Sequence, residues 1–347
     1  MANPSISRRK FTGSLLGLGV ASAFTGLSFP AAAQTSSLKV RLDWTPWGIH
    51  GAVHLAEEKG WLSAAGLDIS LQDGSGSANT VQIVGGSDEF DVGHASLSTM
   101  MVARNKGLPV RAITTFFREG DIGCFVPADS GIKGPADLKG KKAVYTAGAL
   151  EAPFLGTFFA SGGITERDVQ LVSVSAAAKP GTYISGQVDA AFSTIPFFLP
   201  AVVSARPSRA IRFADHGLVM PGYGFFSNEA ALRGPKREAI SKYASVIAAA
   251  WQYIYEGHED EAVAAIMKRR AQARPDPVVL RAQIDALRDF IGKPAQAEVG
   301  FAAISTPDWD AAVKTLASVA LIDNSLSGSE YVEVGLVRPV NLQELGR

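Results

Sequence analysis

Cysteine is almost missing from this sequence: Cys124 is the single one in 347 residues. No internal disulfide can form, and a metal site built on thiolates is excluded. An excess of one charge is missing too, since 33 lysines and arginines stand against 33 aspartates and glutamates. That balance gives no surface suited to a polyanion and sets nucleic acid aside as a partner. Beyond residue 33 no apolar run approaches the roughly 20 residues that cross a bilayer. There is no low-complexity tract and no evident internal repeat. What the chain does have is concentrated in one short stretch, "LDWTPWGIHGAVHLAEEKGW", which opens like a strand and ends like an amphipathic helix. Two of the five tryptophans, an aspartate and a histidine fall within its first nine residues.

The N-terminus reads "SISRRKFTGSLLGLGVASAFTGLSFPAAAQ". Arg8, Arg9 and Lys10 precede a short Gly- and Ala-rich apolar run, and Ala31-Ala32-Ala33 closes it, the layout of a cleavable export signal. Ser7-Arg8-Arg9-Lys10-Phe11 has the form of a bacterial twin-arginine signal, used for proteins exported already folded. Removal of 1–33 takes away three basic residues and leaves 30 against 33, a formal charge of −3. The remaining 314 residues exceed one typical core and predict about two domains. The mature chain is expected to be exported and soluble.

Hydrophobic periodicity predicts an α/β alternation. Strands are expected at 40–42, 67–72, 90–94, 110–117, 123–127, 141–147, 169–174 and 189–195. Helices are expected at 53–62, from about 79, at 97–104, 135–138, 151–160 and near 182–185. From Pro235 onward the pattern is mainly helical, with amphipathic stretches at 236–271, 278–292 and 307–321. Thr306-Pro307 fits an N-cap followed by proline at the first helical position.

In open α/β sheets ligands bind beyond the carboxyl ends of strands, where free helix N–H groups face a crevice. The unusual residues of this chain collect at those ends. Asp43, Trp44, Trp47 and His50 follow the first strand, Gly74-Ser75-Gly76-Ser77 the second, and His94 and Ser96 close the third. In the second half Gly148 and Glu151 follow one strand and Ser193 ends another. Aromatic, hydroxyl, glycine and carboxylate groups dominate there, with few lysines or arginines. Such a lining suits a flat, mostly neutral ring, held by aromatic faces and oriented by a few polar groups.

"LDWTPWGIHGAVHLAEEKGWLSAAGLDISLQDGSG", "FDVGHASLSTMMVARNKGLPV", "SGIKGPADLKGKKAV" and "ISGQVDAAF" resemble the type II periplasmic solute-binding proteins of ABC importers. Within these the resemblance is to the group for nitrate, sulfonates and the pyrimidine precursor of thiamine, and it covers nearly the whole mature chain. It implies two α/β lobes joined by two crossing strands, near 117–125 and 220–226. Lobe one would be 38–120 plus 225–347 and lobe two 121–224. It also implies a monomer that captures a small molecule and docks on an inner-membrane ABC permease, with no cofactor. A eukaryotic branch of the same family, the hydroxymethylpyrimidine phosphate synthases, is enzymatic and uses iron and pyridoxal phosphate. That branch has a histidine matching His50 and a cysteine-rich run where this chain reads "VMPGYGFFSNEA", without a cysteine. The expected function is therefore capture, not catalysis.

Each candidate has a plainer reading beside the functional one. Adjacent strand residues point to opposite faces, so at most one of Asp43 and Trp44 is expected to face the crevice from regular strand. Trp44 and Trp47 either stack on ligand or pack. His50 donates to ligand or caps its turn, and its spacing to His54 is a weak metal signal without a nearby glutamate; no metal is expected. Gly74 to Ser77 forms either a plain turn or a nest of N–H groups for a phosphate, carboxylate or ring carbonyl. Glu151 suits a helix first turn in any case, and both it and Asp43 could accept from the exocyclic amine of an aminopyrimidine. Asp189 reads as structural, and Tyr223 as a hinge aromatic able to double as a lid. The scarcity of basic strand ends, set against Trp44, Trp47, Phe116 and Tyr223, favours an aminopyrimidine over a small anion such as a sulfonate or nitrate. A flavin or an aromatic acid stays open.

Overall fold

The computed structural model describes residues 35–291 and 300–345; the expected export signal, 1–33, lies outside the described residues. Two five-stranded sheets organise the chain. The first holds β1 (Ser36–Arg41), β2 (Leu67–Gln72), β3 (Val92–Ser96), β4 (Val110–Ala112) and β10 (Tyr223–Asn228), in the order β2-β1-β3-β10-β4. The second holds β5 (Ile122–Pro127), β6 (Lys142–Tyr145), β7 (Gln170–Ser173), β8 (Ala190–Thr194) and β9 (Ser208–Arg212), in the order β7-β6-β8-β5-β9.

The two sheets repeat one plan. Three strands run parallel, and the fourth place is taken by an antiparallel strand that arrives from the other sheet: β10 in the first, β5 in the second. The chain thus passes between the lobes twice, after β4 and before β10. The central strands β3 and β8 are buried at every residue, as expected of parallel strands covered on both faces. Strand β2 alternates and leaves one face partly open.

Helices fill the connections in the βαβ manner. They include α1 (Gly51–Glu58), α2 (Trp61–Ala64), α3 (Ser77–Gly86), α4 (Leu97–Asn105), α5 (Leu155–Ser161), α6 (Lys179–Ile184) and α7 (Ile195–Val202). Short α8 (Glu229–Arg233) follows β10, and α9 (Arg237–Tyr255) turns a continuous apolar face, with Trp251 and Ile254 fully enclosed, onto α1 and the first sheet. Next come α10 (Glu259–Arg269), α11 (Pro277–Ile291) and α12 (Thr306–Ser318).

Several expectations need correction, among them the helix foreseen over 53–62, which breaks into α1 and α2 at Gly60, φ +72. The helix foreseen over 236–271 is two helices, because Gly257 adopts φ +108 and ends the first. The strand foreseen over 110–117 stops at Ala112: the amides of Ile113 and Thr114 both turn to the Phe225 carbonyl, and those of Phe116 and Phe117 to that of Tyr223. The segment leaves its sheet to begin the first passage. Strand β9 and helix α7 had no counterpart in the periodicity, and the segment read only as a crossing is itself strand β10.

Candidate functional site

Strand β1 ends at Arg41, so residues 42–47 are free of the strand's alternation. Asp43, Trp44 and Trp47 are therefore able to line the same cavity, which a regular strand forbids for the first two. Asp43 is 1% exposed and accepts three hydrogens: from His50 Nε2 at 2.9 Å, from His94 Nδ1 at 2.9 Å, and from the Tyr223 hydroxyl at 3.0 Å. His50 Nδ1 accepts the Trp47 amide hydrogen at 3.4 Å, which leaves the proton on Nε2, facing Asp43.

Burial alone would raise the Asp43 pKa, but the hydrogen bonds from His50 and His94 outweigh it and hold the carboxyl well below its usual range. Burial pushes His50 down against the pull of Asp43, so its imidazole is neutral. The result is a buried anion held by three hydrogen-bond donors, the usual way an enclosed charge is tolerated.

Around this carboxylate the two lobes meet. Trp47 stands edge-on to Phe197 at 5.4 Å and 74°, and Trp44 to the same ring at 6.2 Å and 77°. Of the sequence candidates, Asp43, Trp44, Trp47, Ser77, Ser193 and Tyr223 line one narrow cleft, nearly filled by its own walls, with a cavity volume of about 10 Å³. Leu150, Lys179, Thr194 and Phe197 complete it.

Lys179 was not foreseen. Its ammonium donates to Glu151 Oε1 at 2.6 Å and to the Phe192 carbonyl at 2.9 Å, and lies 5.4 Å from the centre of the Trp44 ring. Both members of the ion pair are fully enclosed. A sequence signal did exist: Lys179 opens α6, where the positive end of the helix disfavours a cation. Phe197 was hidden inside "IPFFLPAV", a helix apolar on all sides, directly after the flagged Ser193 and Thr194.

The remaining candidates sit behind or beside the cavity. His50 and His94 support Asp43, and His94 also stacks on Tyr223 at 5.2 Å. The Ser96 N–H donates to Ser77 Oγ at 3.1 Å, and its hydroxyl pairs with that of Ser98 at 2.9 Å. Phe116 lies apart, edge-on to Phe225. Gly74 and Ser75 shape the turn before α3; the Gly74 amide donates to the Trp44 carbonyl. The N–H groups at the start of α3 are taken by Gly148, whose carbonyl accepts from Ala78 at 3.0 Å and from Asn79 at 3.3 Å. The turn thus holds a backbone carbonyl of the facing lobe. Gln283 adds a second bridge, accepting from Gly48 N and donating to the Phe197 carbonyl, each at 2.9 Å.

Two further groups bear on the chemistry. Asp121, at the end of the first passage, accepts from the Thr194 hydroxyl through Oδ2 and has no partner at Oδ1. Burial, aided by the Asp43 charge, pushes it up to about 7. Among the described residues the group able to hold a metal ion is Asp43, His50 and His94, with donor atoms within 4.8 Å of one another. The same atoms are already joined by hydrogen bonds. His54, the other half of the spaced histidine pair, turns instead toward Glu57, 3.5 Å away.

A protein of Halalkalibacterium halodurans named formylaminopyrimidine-binding protein is 22% identical over 315 residues, covering 86% of this chain and 92% of its own. A 4-amino-5-hydroxymethyl-2-methylpyrimidine phosphate synthase of Saccharomyces cerevisiae is 29% identical, but over 113 residues, 32% of this chain and 33% of its own. The solved alkanesulfonate-binding protein of Xanthomonas axonopodis pv. citri, bound to MOPS, superposes with a TM-score of 0.63 at 17% identity, covering 87% of this chain and 99% of that one. That superposition establishes the type II solute-binding fold, two α/β lobes with two crossing strands. The NMT1/THI5-like family matches residues 47–262, from the second cavity tryptophan to the helix after α9, and the chain belongs to that family.

Proposed function

We propose that this protein is the extracytoplasmic solute-binding component of an ABC importer, and that it captures an aminopyrimidine of the thiamine-precursor kind. One observation carries the ligand class: the cavity already contains a fixed anion, Asp43, and its one lysine is neutralised by Glu151. A sulfonate or nitrate would be pushed against that carboxylate, whereas an aminopyrimidine is neutral, brings one exocyclic amine for the carboxylate's remaining acceptor position and offers a flat face to Trp44, Trp47, Phe197 and Tyr223. The printed name of the Halalkalibacterium halodurans relative supports the same choice.

Capture works through the two lobes, foreseen as 38–120 with 225–347 and 121–224, with β10 carrying Tyr223 and Gly224 into the first lobe's sheet. The solute enters while they stand apart, and closure brings Lys179 and Phe197 of one against Asp43 and Trp47 of the other. Contact with both lobes is required, because only a preference for the closed form shifts the equilibrium toward it. The closed monomer then docks on the permease. A catalytic role is disfavoured by the chemistry of the chain: residues 219–230 contain no cysteine, and Cys124 is buried, which raises its thiol far above the ordinary value. The export signal at 1–33, of the twin-arginine kind, fits work outside the cytoplasm. Native mass spectrometry of protein purified without refolding tests this reading. The expected result is a co-purifying aminopyrimidine; a bound sulfonate, or turnover of an added pyrimidine, would contradict it.

A further inference from the structure

The walls of the cavity hold more hydrogen-bond donors than they use. Trp44 is 6% exposed and Trp47 1% exposed, both line the cavity, and the indole Nε1 hydrogen of each has no partner. Lys179 has three ammonium hydrogens, of which Glu151 and the Phe192 carbonyl take two. The hydroxyl hydrogens of Tyr223 and Thr194 are spent inside the protein, on Asp43 and Asp121. Asp43 itself already accepts three. A buried donor left unpaired opposes folding, and one in a cavity wall is open to a partner that a ligand supplies.

We propose that Trp44 and Trp47 determine specificity through their indole N–H edges, which with Lys179 donate to an oxygen substituent on the ligand ring. This rests on the pyrimidine reading above and deepens it. The tryptophans then do more than present faces: their edge contacts with Phe197 set the indole planes, and the N–H groups select among rings of equal flatness. A ring without the oxygen leaves both donors buried and unanswered, which discriminates far more strongly than the loss of apolar contact does.

The test compares 4-amino-5-hydroxymethyl-2-methylpyrimidine with 4-amino-2,5-dimethylpyrimidine, its counterpart lacking the oxygen, by titration calorimetry on the full mature chain. The hydroxymethyl compound is expected to bind about tenfold more tightly or better. In Trp44→Phe and Trp47→Phe, which keep a flat ring and lose the N–H, that preference shrinks. Proton–nitrogen correlation spectra of the wild-type protein, with its five indole signals, give a readout independent of any variant's folding. Two indole signals are expected to move downfield with the hydroxymethyl compound and not with the dimethyl one. Equal affinity for the two compounds, or unmoved indole signals, would overturn the assignment while leaving the pyrimidine reading intact. Failure of both compounds to bind would overturn the pyrimidine reading and this assignment with it.

Discussion

The Gly148 carbonyl oxygen of the second lobe caps the first turn of α3 in the first lobe, accepting from Ala78 at 3.0 Å and Asn79 at 3.3 Å. Helix N-termini carry N–H groups without intrahelical partners, and here the facing lobe supplies the acceptor. The approach is so close that a Cβ on Gly76 would lie 2.2 Å from that oxygen, and one on Gly148 would lie 2.4 Å from Asn79 Oδ1. Gly148 also has φ +78 and Gly76 φ +139, a region that side chains oppose.

Gly148→Ala is accordingly expected to weaken closure. Small-angle scattering should show a larger radius of gyration than wild type without ligand, and ligand affinity should fall. Backbone strain adds about 1–2 kcal/mol to the cost of the native conformation. An unchanged radius and affinity would remove the carbonyl cap from the closing contacts.

Lys179→Met leaves Glu151 buried without its cation. Breaking an enclosed pair from one side costs about 3–5 kcal/mol, whereas replacing both partners with neutral groups is far milder. Urea unfolding should therefore place Lys179→Met well below wild type and the double variant Lys179→Met with Glu151→Gln between the two. A double variant no better than the single one would contradict the pairing.

Asp121 gives a stability effect with a defined sign. Its carboxyl is raised by burial from an ordinary 3.8 to about 7, so the folded protein favours the protonated form. Stability from this group is fully present below pH 4 and is lost as pH rises from there to about 7. Asp121→Asn removes the penalty: the variant should match wild type near pH 4 and exceed it near pH 8 in urea midpoint. Asp43 works the other way. Its carboxyl is lowered, so its stabilisation is present above pH 4 and fades as pH falls below that value.

The class of fold and several cavity residues are legible in the sequence because both depend on local order. A strand, then Gly or an aromatic, then a helix is visible in consecutive residues, and Asp43, Trp47, Ser77 and Ser193 stand at such junctions. The rest depends on distance along the chain. Gln283 meets Gly48 from 235 residues away, and nothing in either segment announces it. Lys179 carries only the faint mark of a cation at a helix start, and its partner Glu151 lies 28 residues away. Strand β9 is mostly half-buried at the edge of its sheet, so it lacks the apolar signature that marked β3 and β8.

Chelation separates the two uses of the Asp43, His50 and His94 group. If hydrogen bonds alone join these residues, prolonged treatment with EDTA leaves ligand affinity and thermal midpoint unchanged. A drop in either that zinc restores would show a metal at that place.

One cleft between the lobes, centred on the buried Asp43 anion, is expected to take a neutral pyrimidine. Titration calorimetry at pH 7 measures it most directly, with 4-amino-5-hydroxymethyl-2-methylpyrimidine and a simple alkanesulfonate compared on the same protein. Saturable binding of the pyrimidine, lost in Asp43→Leu and not displaced by the sulfonate, is the predicted result. Tight binding of the sulfonate with none of the pyrimidine would contradict the account.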